Sequence, residues 1–162
     1  MRLVVHDAGP MTTVLLQTTM GDVKIELFEK TMPITAGNFR KLVEKKFYDG
    51  TIFHRVIVDF MIQGGDPEGT GMGGPGYTIK DELPADNRNA RGTISMANSG
   101  PNSGESQFFI NTVDNRGLDR KHPVFGKVVA GMDVVDAISK VATDSDDRPR
   151  KTVTIKKASL VA

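Results

Sequence analysis

Apolar runs too short for a helix, each closed by glycine, proline, asparagine or aspartate, recur along almost the whole of this chain. That punctuation constrains the fold more than any other feature, because short, repeatedly interrupted apolar segments read as strands. Strands are expected at residues 14–18, 23–28, 53–56, 61–63, 93–97, 107–111, 124–129 and 153–160. Met20-Gly21-Asp22 separates the first two as a hairpin turn. Two stretches break the pattern with helical spacing. Pro33, tolerated at a first helical position, opens one whose apolar stripe is Ala36, Phe39, Leu42 and Val43. The other covers 133–140 and turns Val134, Val135 and Ile138 inward. No linker divides the chain and no internal repeat runs through it. Its 162 residues suit one mainly β domain with a proper core.

Two of the strand pairs carry side chains that a plain core would not hold. Residues 53–66 place Arg55 and Gln63 within apolar runs, with Phe60 and Met61 between them. Strand alternation puts Met61 and Gln63 on one face and Phe60 and Ile62 on the other. Alone, this run reads as an amphipathic hairpin with its polar residues in water. The run 96–111 repeats the arrangement: Gln107 alternates with Phe109 on one face while Phe108 and Ile110 take the opposite one. Arginine and glutamine are expensive to bury, so two such runs indicate an apolar pocket holding a few fixed hydrogen-bonding groups.

Several other chemistries are excluded. A formal net charge of +1 gives no electrostatic case for nucleic acid or an anionic membrane. The chain has no cysteine, hence no disulfides and no thiolate chemistry, which fits a reducing compartment. Residues 1–12 are expected to form a leader or disordered extension before a domain at 13–162, with Met11 a candidate start. Their apolar portion is too short for a secretory signal, and no run approaches a membrane span, so the cytoplasm is the expected location. Gly69-Thr70-Gly71-Met72-Gly73-Gly74 matches a dinucleotide fingerprint, but Pro75-Gly76 follows where a helix is required. It reads instead as a mobile surface loop. His6, His54 and His122 lack metal-ligand spacing, the Asp144–Asp147 cluster lacks the rest of a calcium loop, and no serine sits in a nucleophile elbow.

Five segments together carry a family resemblance. They are Phe53-His54-Arg55, Phe60-Met61-Ile62-Gln63-Gly64-Gly65-Asp66, Met96-Ala97-Asn98, Ser106-Gln107-Phe108-Phe109-Ile110 and Leu118-Asp119-Arg120-Lys121-His122-Pro123-Val124-Phe125-Gly126. In order and approximate spacing they resemble the cyclophilins, the peptidyl-prolyl cis-trans isomerases inhibited by cyclosporin, over residues 14–160. The resemblance implies a closed eight-stranded antiparallel β-barrel with an α-helix over each end, a design that leaves no exposed sheet edge. It implies a monomer without cofactor or metal that rotates X-Pro bonds in proteins and peptides and assists their folding.

That reaction shapes what the site must contain. The peptide bond is partly double, with a barrier of ~18–20 kcal/mol, and rotation before proline takes roughly tens to hundreds of seconds unaided. Rotation makes the prolyl nitrogen pyramidal, so a donor aimed at its lone pair stabilises the transition state above the planar ground state. The resemblance assigns that donor to Arg55, whose guanidinium is always charged and rich in N–H groups. By the same resemblance Phe60, Met61, Phe109 and Leu118 form floor and walls for the proline ring, with His122 at the rim. Gln63 and Asn98 hydrogen-bond the substrate backbone, and Ala97 and Gln107 line the groove, Gln107 also orienting Arg55. His54, bonded to a nearby backbone group, stands at the edge of the site. So does Gly117, where many members carry tryptophan. Without that indole, binding of cyclosporin-type inhibitors is expected to be weakened. The loop Ser103-Gly104-Glu105-Ser106 also departs from the commoner Thr-Asn-Gly-Ser, which implies an unusual substrate preference. The rival from another class is a proline-binding scaffold or complex subunit with little turnover.

Overall fold

The structure is a computed structural model that describes residues 11–161. Residues 1–10, most of the expected leader, lie outside the described ones. Thr12 already belongs to the sheet's surroundings, since its carbonyl accepts the Leu27 N–H at 2.8 Å.

Eight strands and two helices follow in the order β1 (Thr13–Thr18), β2 (Gly21–Leu27), α1 (Pro33–Glu44), β3 (Arg55–Ile57), β4 (Met61–Gly64), β5 (Thr93–Met96), β6 (Phe108–Asn111), β7 (Val124–Ala130), α2 (Met132–Ser139) and β8 (Ile155–Val161). All the strands join one antiparallel sheet in the order β3-β4-β6-β5-β7-β2-β1-β8. In β1 the alternation of the sequence becomes alternation of burial, with Val14, Leu16 and Thr18 turned inward. The β1–β2 turn is tied by Thr18, whose hydroxyl donates to the Gly21 carbonyl at 2.7 Å. Helix α1 has Pro33 in its first turn and no acidic residue of its own there. Glu82 supplies the missing acceptors from far along the chain, taking the N–H groups of Ile34 at 3.1 Å and Thr35 at 2.7 Å. A carboxylate at the positive end of the helix is favoured on both counts.

The expected closed barrel is corrected to an open ladder. Its ends, β3 and β8, are joined by no ladder of their own. Two features explain this. The Val56 N–H of β3 donates to the carbonyl of Asp147, in the loop ahead of β8, at 2.8 Å. The segment just before β3 meets the start of β8 at an isolated bridge, Ile52 to Thr154. There the Phe53 N–H lies on the Val153 carbonyl at 3.0 Å, the Ile155 N–H on the Thr51 carbonyl at 2.8 Å and the Gly50 N–H on the Ile155 carbonyl at 2.8 Å, and this pairing does not continue into β3. Edge β3 is thus covered by loop rather than strand, another way of protecting a free edge. The strand expected at 53–56 begins only at Arg55, where continuous pairing with β4 begins; Ile52 meets that side only as a single bridge to Asp66.

The curled sheet and both helices share one core. Phe39 and Ala36 of α1 and Val135 and Ile138 of α2 join Val14, Leu16 and Ile25 from the sheet, all fully buried. Phe108 stands at its centre, edge-on to Phe39 (5.5 Å), Tyr48 (5.5 Å) and Phe53 (6.1 Å). Buried Tyr48 donates its hydroxyl to the Ser106 carbonyl at 2.8 Å, and burial raises its pKa well above the ordinary tyrosine value. No described helix is long and apolar enough to cross a membrane.

Candidate active site

On the outer face of β3, β4, β6 and β5 one cross-strand row runs Arg55, Gln63, Phe109, Ser95. Register does this. Pairing Arg55 with Gln63 and Gln63 with Phe109 brings a cation, an amide and an aromatic ring side by side, the first two from one hairpin and the third from far along the chain. Phe108 and Ile110, the alternate residues of β6, go to the core as the sequence indicates.

Arg55, Phe60, Met61, Gln63, Ala97, Asn98, Phe109, Leu118 and His122 line one pocket of about 250 Å³. That lies below the ~300–1,000 Å³ of sites for drug-sized ligands and suits a single ring. Met61 and Phe109 are 2% and 4% exposed, so they form a fixed apolar floor. Phe60 corrects the alternation argument. It closes the turn before β4, its N–H on the Ile57 carbonyl at 3.2 Å, after Asp59 at φ 59°. A turn residue does not alternate, so Phe60 and Met61 line the same pocket in succession.

Arg55 is not buried among apolar side chains as its neighbours in sequence suggested. It is exposed at the pocket's edge and held by a chain of amides. Its Nη1 donates to Gln63 Oε1 at 3.4 Å, and Gln63 Nε2 donates to Gln107 Oε1 at 3.0 Å. Gln107 Nε2 in turn donates to the carbonyls of Gly71 at 2.9 Å and Gly73 at 3.3 Å. Gln107 does not line the pocket. It lines the neighbouring cavity of about 240 Å³, which Gln63, Ala97 and Asn98 share with Ser103 and Glu105. Its connection to Arg55 runs through Gln63.

The opposite wall is pinned with similar care. Leu118 ends a 3₁₀ turn, Arg116–Leu118, and its carbonyl accepts the His122 N–H at 3.0 Å. His122 stands edge-on to Phe109, centroids 5.2 Å apart, with Nδ1 3.0 Å from the Met96 carbonyl. A carbonyl only accepts, so Nδ1 carries a ring proton. The Asn98 side chain is engaged, donating to the Lys121 carbonyl at 2.8 Å.

Two expected edge residues lie elsewhere. Gly117 faces a different cavity, across the 116–122 segment. His54 is buried away from the pocket and makes no backbone hydrogen bond; its Nδ1 has no partner. The residue that sequence reading overlooked is Asp66. Fully buried, its carboxylate accepts the N–H groups of Glu68 at 2.8 Å, Thr70 at 2.9 Å and Gly71 at 2.5 Å. Burial pushes its pKa up, but the hydrogen bonds together outweigh this and leave it below the ordinary aspartate value. Asp66 therefore folds the glycine-rich segment whose carbonyls anchor Gln107, with Arg148 Nη1 fixing Gly69 O at 2.6 Å. Asp66-Pro67-Glu68-Gly69 is an Asx-turn signal that could have revealed it. Gly65 lets the strand enter that turn: at φ 90°, a Cβ would stand 2.7 Å from the Ser106 carbonyl.

His54 gives a stability prediction. Burial lowers its pKa; Asp66 opposes this, and Arg148 and Arg55 add to the lowering. The unfolded chain then takes up the proton first, near the ordinary value of about 6.5. The His54 contribution is thus complete above that pH and lost as pH falls through the window below it. The urea midpoint should drop between about pH 7 and 5, and His54→Gln should show a smaller drop. Identical pH dependence in both proteins would exclude His54 as the source.

Comparison with known proteins settles the family. The model of the family described as "Cyclophilin type peptidyl-prolyl cis-trans isomerase/CLD" matches residues 13–160. The chain is a cyclophilin. Among curated relatives, "Peptidyl-prolyl cis-trans isomerase-like 1" of Neurospora crassa is 47% identical over 93% of this chain and 94% of its own. The human protein of that name is 43% identical over 98% of each. A crystal structure of a Cryptosporidium parvum cyclophilin-type isomerase, determined in the presence of the dipeptide Ala-Pro, superposes with a TM-score of 0.89. It is 35% identical and covers 93% of this cyclophilin and 99% of the solved chain.

Proposed function

We propose that this cyclophilin catalyses rotation about X-Pro bonds in peptides and proteins, with Arg55 as the donor to the pyramidal prolyl nitrogen. One observation carries the mechanism: an arginine fixed by two successive amides at the lip of an apolar pocket of one-ring size. The proline ring enters against Met61, Phe109, Phe60 and Leu118. Gln63 sets the guanidinium, and we assign to its NH₂ group, which keeps one proton beyond its bond to Gln107, a hydrogen bond to the bound backbone. With the Asn98 side chain committed to Lys121, we assign to its main chain the contact on the other side of the rotating bond. Holding one end while the other turns requires no nucleophile and no proton transfer.

A two-dimensional exchange spectrum of a short Ala-Pro peptide with catalytic amounts of protein tests this. Cross-peaks between cis and trans resonances are expected; shifts without cross-peaks would favour the binding-scaffold reading. Because arginine stays charged and no proton moves, the rate should vary little between about pH 6 and 8. A steep one-proton dependence in that range would make His122 or His54 a chemical participant.

Position 117 supplies a separate prediction. Gly117 is exposed, its φ lies outside the left-handed region, and nothing stands within 4 Å of an added Cβ. Gly117→Trp should therefore fold normally and bind cyclosporin more tightly than the natural protein by ~1–3 kcal/mol, one hydrogen bond plus aromatic contact. Calorimetric titration of both forms decides it, and equal affinities would show that this position does not govern the drug.

A further inference from the structure

On the far side of the 116–122 segment from the proline pocket lies a groove of about 900 Å³. Leu118 and His122 line the pocket, while Gly117, Asp119, Arg120 and Lys121 line the groove. Leu83, Pro84, Ala85 and Asn87 form its other wall, and Arg88 and Arg116 complete a set of four cations around Asp119, the one carboxylate that lines it, since Asp86 lines the cavity on the other side of that wall. That carboxylate is already engaged: Asp119 Oδ1 takes the Asn89 N–H at 2.7 Å, and Oδ2 lies 3.4 Å from Arg116 Nε. Arg120 and Lys121 form no ion pair among the described residues. Gly117 adds no side chain, which leaves the groove open beside the pocket.

The walls are fixed in place. Buried Asn87 donates from Nδ2 to the carbonyls of Asp119 at 2.7 Å and His122 at 3.0 Å, and accepts the Val124 N–H at 2.9 Å. Fully buried Asn89 ties the same two segments together. The cations are thus mounted on a preformed cleft that shares a wall with the proline pocket, within reach of an extended peptide at ~3.3–3.6 Å per residue.

We propose that this groove receives an anionic side chain, carboxylate or phosphate, of the same peptide whose proline occupies the pocket. The substrates are then X-Pro segments flanked by acidic or phosphorylated residues. This rests on the isomerase reading only for the identity of the peptide. Each pairing is solvent-exposed and individually weak, so the gain comes from several cations acting together and is screened by salt.

The test titrates isotope-labelled full-length protein with Ala-Pro peptides of neutral flank, and with glutamate or phosphoserine walked along either side. The best acidic peptide should bind about five- to tenfold tighter than the neutral one. That advantage should shrink in ~0.5 M salt and vanish in the Arg120→Glu/Lys121→Glu variant, whose affinity for the neutral peptide stays unchanged. Equal affinity for acidic and neutral peptides, or an advantage that survives in the variant, would overturn the proposal. So would inorganic phosphate alone displacing the acidic peptide as effectively as the peptide competes with itself. Failure of the isomerase reading appears separately, as charge-selective binding without cis–trans exchange.

Discussion

Arg55→Ala should lower kcat/KM for X-Pro exchange by about 10²–10³, the usual effect of deleting one donor to a transition state. The side chain is exposed, its one hydrogen bond to Gln63 is long at 3.4 Å, and it takes no part in the core. Thermal stability should therefore stay close to that of the natural protein, as for most exposed substitutions. Arg55→Lys keeps the charge but loses the planar fork that Gln63 orients, and should recover only part of the rate. A lysine variant with full activity would mean that charge alone suffices and that the amide chain from Gln107 is dispensable.

Neighbouring phenylalanines should behave as opposites. Phe108→Ala empties the centre of the aromatic cluster, where three rings meet one fully buried side chain, and should cost about 3–5 kcal/mol in chemical denaturation. That is a large part of the ~5–15 kcal/mol by which a domain of this kind is stable. Phe109→Ala removes a ring that faces the pocket, where the space left opens to solvent. It should lose less stability but much of the affinity for proline peptides. Urea unfolding and peptide titration of both variants provide the comparison. Equal stability losses would place Phe109 in the core on the same footing as Phe108.

Short apolar runs closed by turn residues, and helical spacing, were enough to locate every described strand and both helices; in β1 the alternation repeats burial directly, whereas β6 is buried on both faces and shows only as an apolar run. Boundaries moved where hydrogen bonds rather than side chains decide them. β3 starts only at Arg55 because continuous pairing with β4 starts there; before it, Ile52 makes single bridges, to Asp66 on that side and to Thr154 of the β8 side. The open ladder was illegible for the same reason: it depends on the Asp147 carbonyl, and no residue type announces where a carbonyl points. Nine expected site residues meet in one pocket, since a motif at fixed spacing brings its register with it. Gln107 and Gly117 line the cavities on either side, while His54 turns inward. Asp66 and Asn87 escaped notice because their work is done on backbone groups distant in sequence or hidden in a loop, and such partners leave little trace in the chain itself.

The most direct measurement takes natural protein and Arg55→Ala side by side, recording peptide affinity and cis–trans exchange of one Ala-Pro peptide on the same samples. If Arg55 acts on the pyramidal nitrogen, affinity should be nearly retained while exchange falls by about 10²–10³, because the lost interaction exists only in the transition state. Exchange at the natural rate, or a fall fully accounted for by weaker binding, would contradict Arg55 as the transition-state donor.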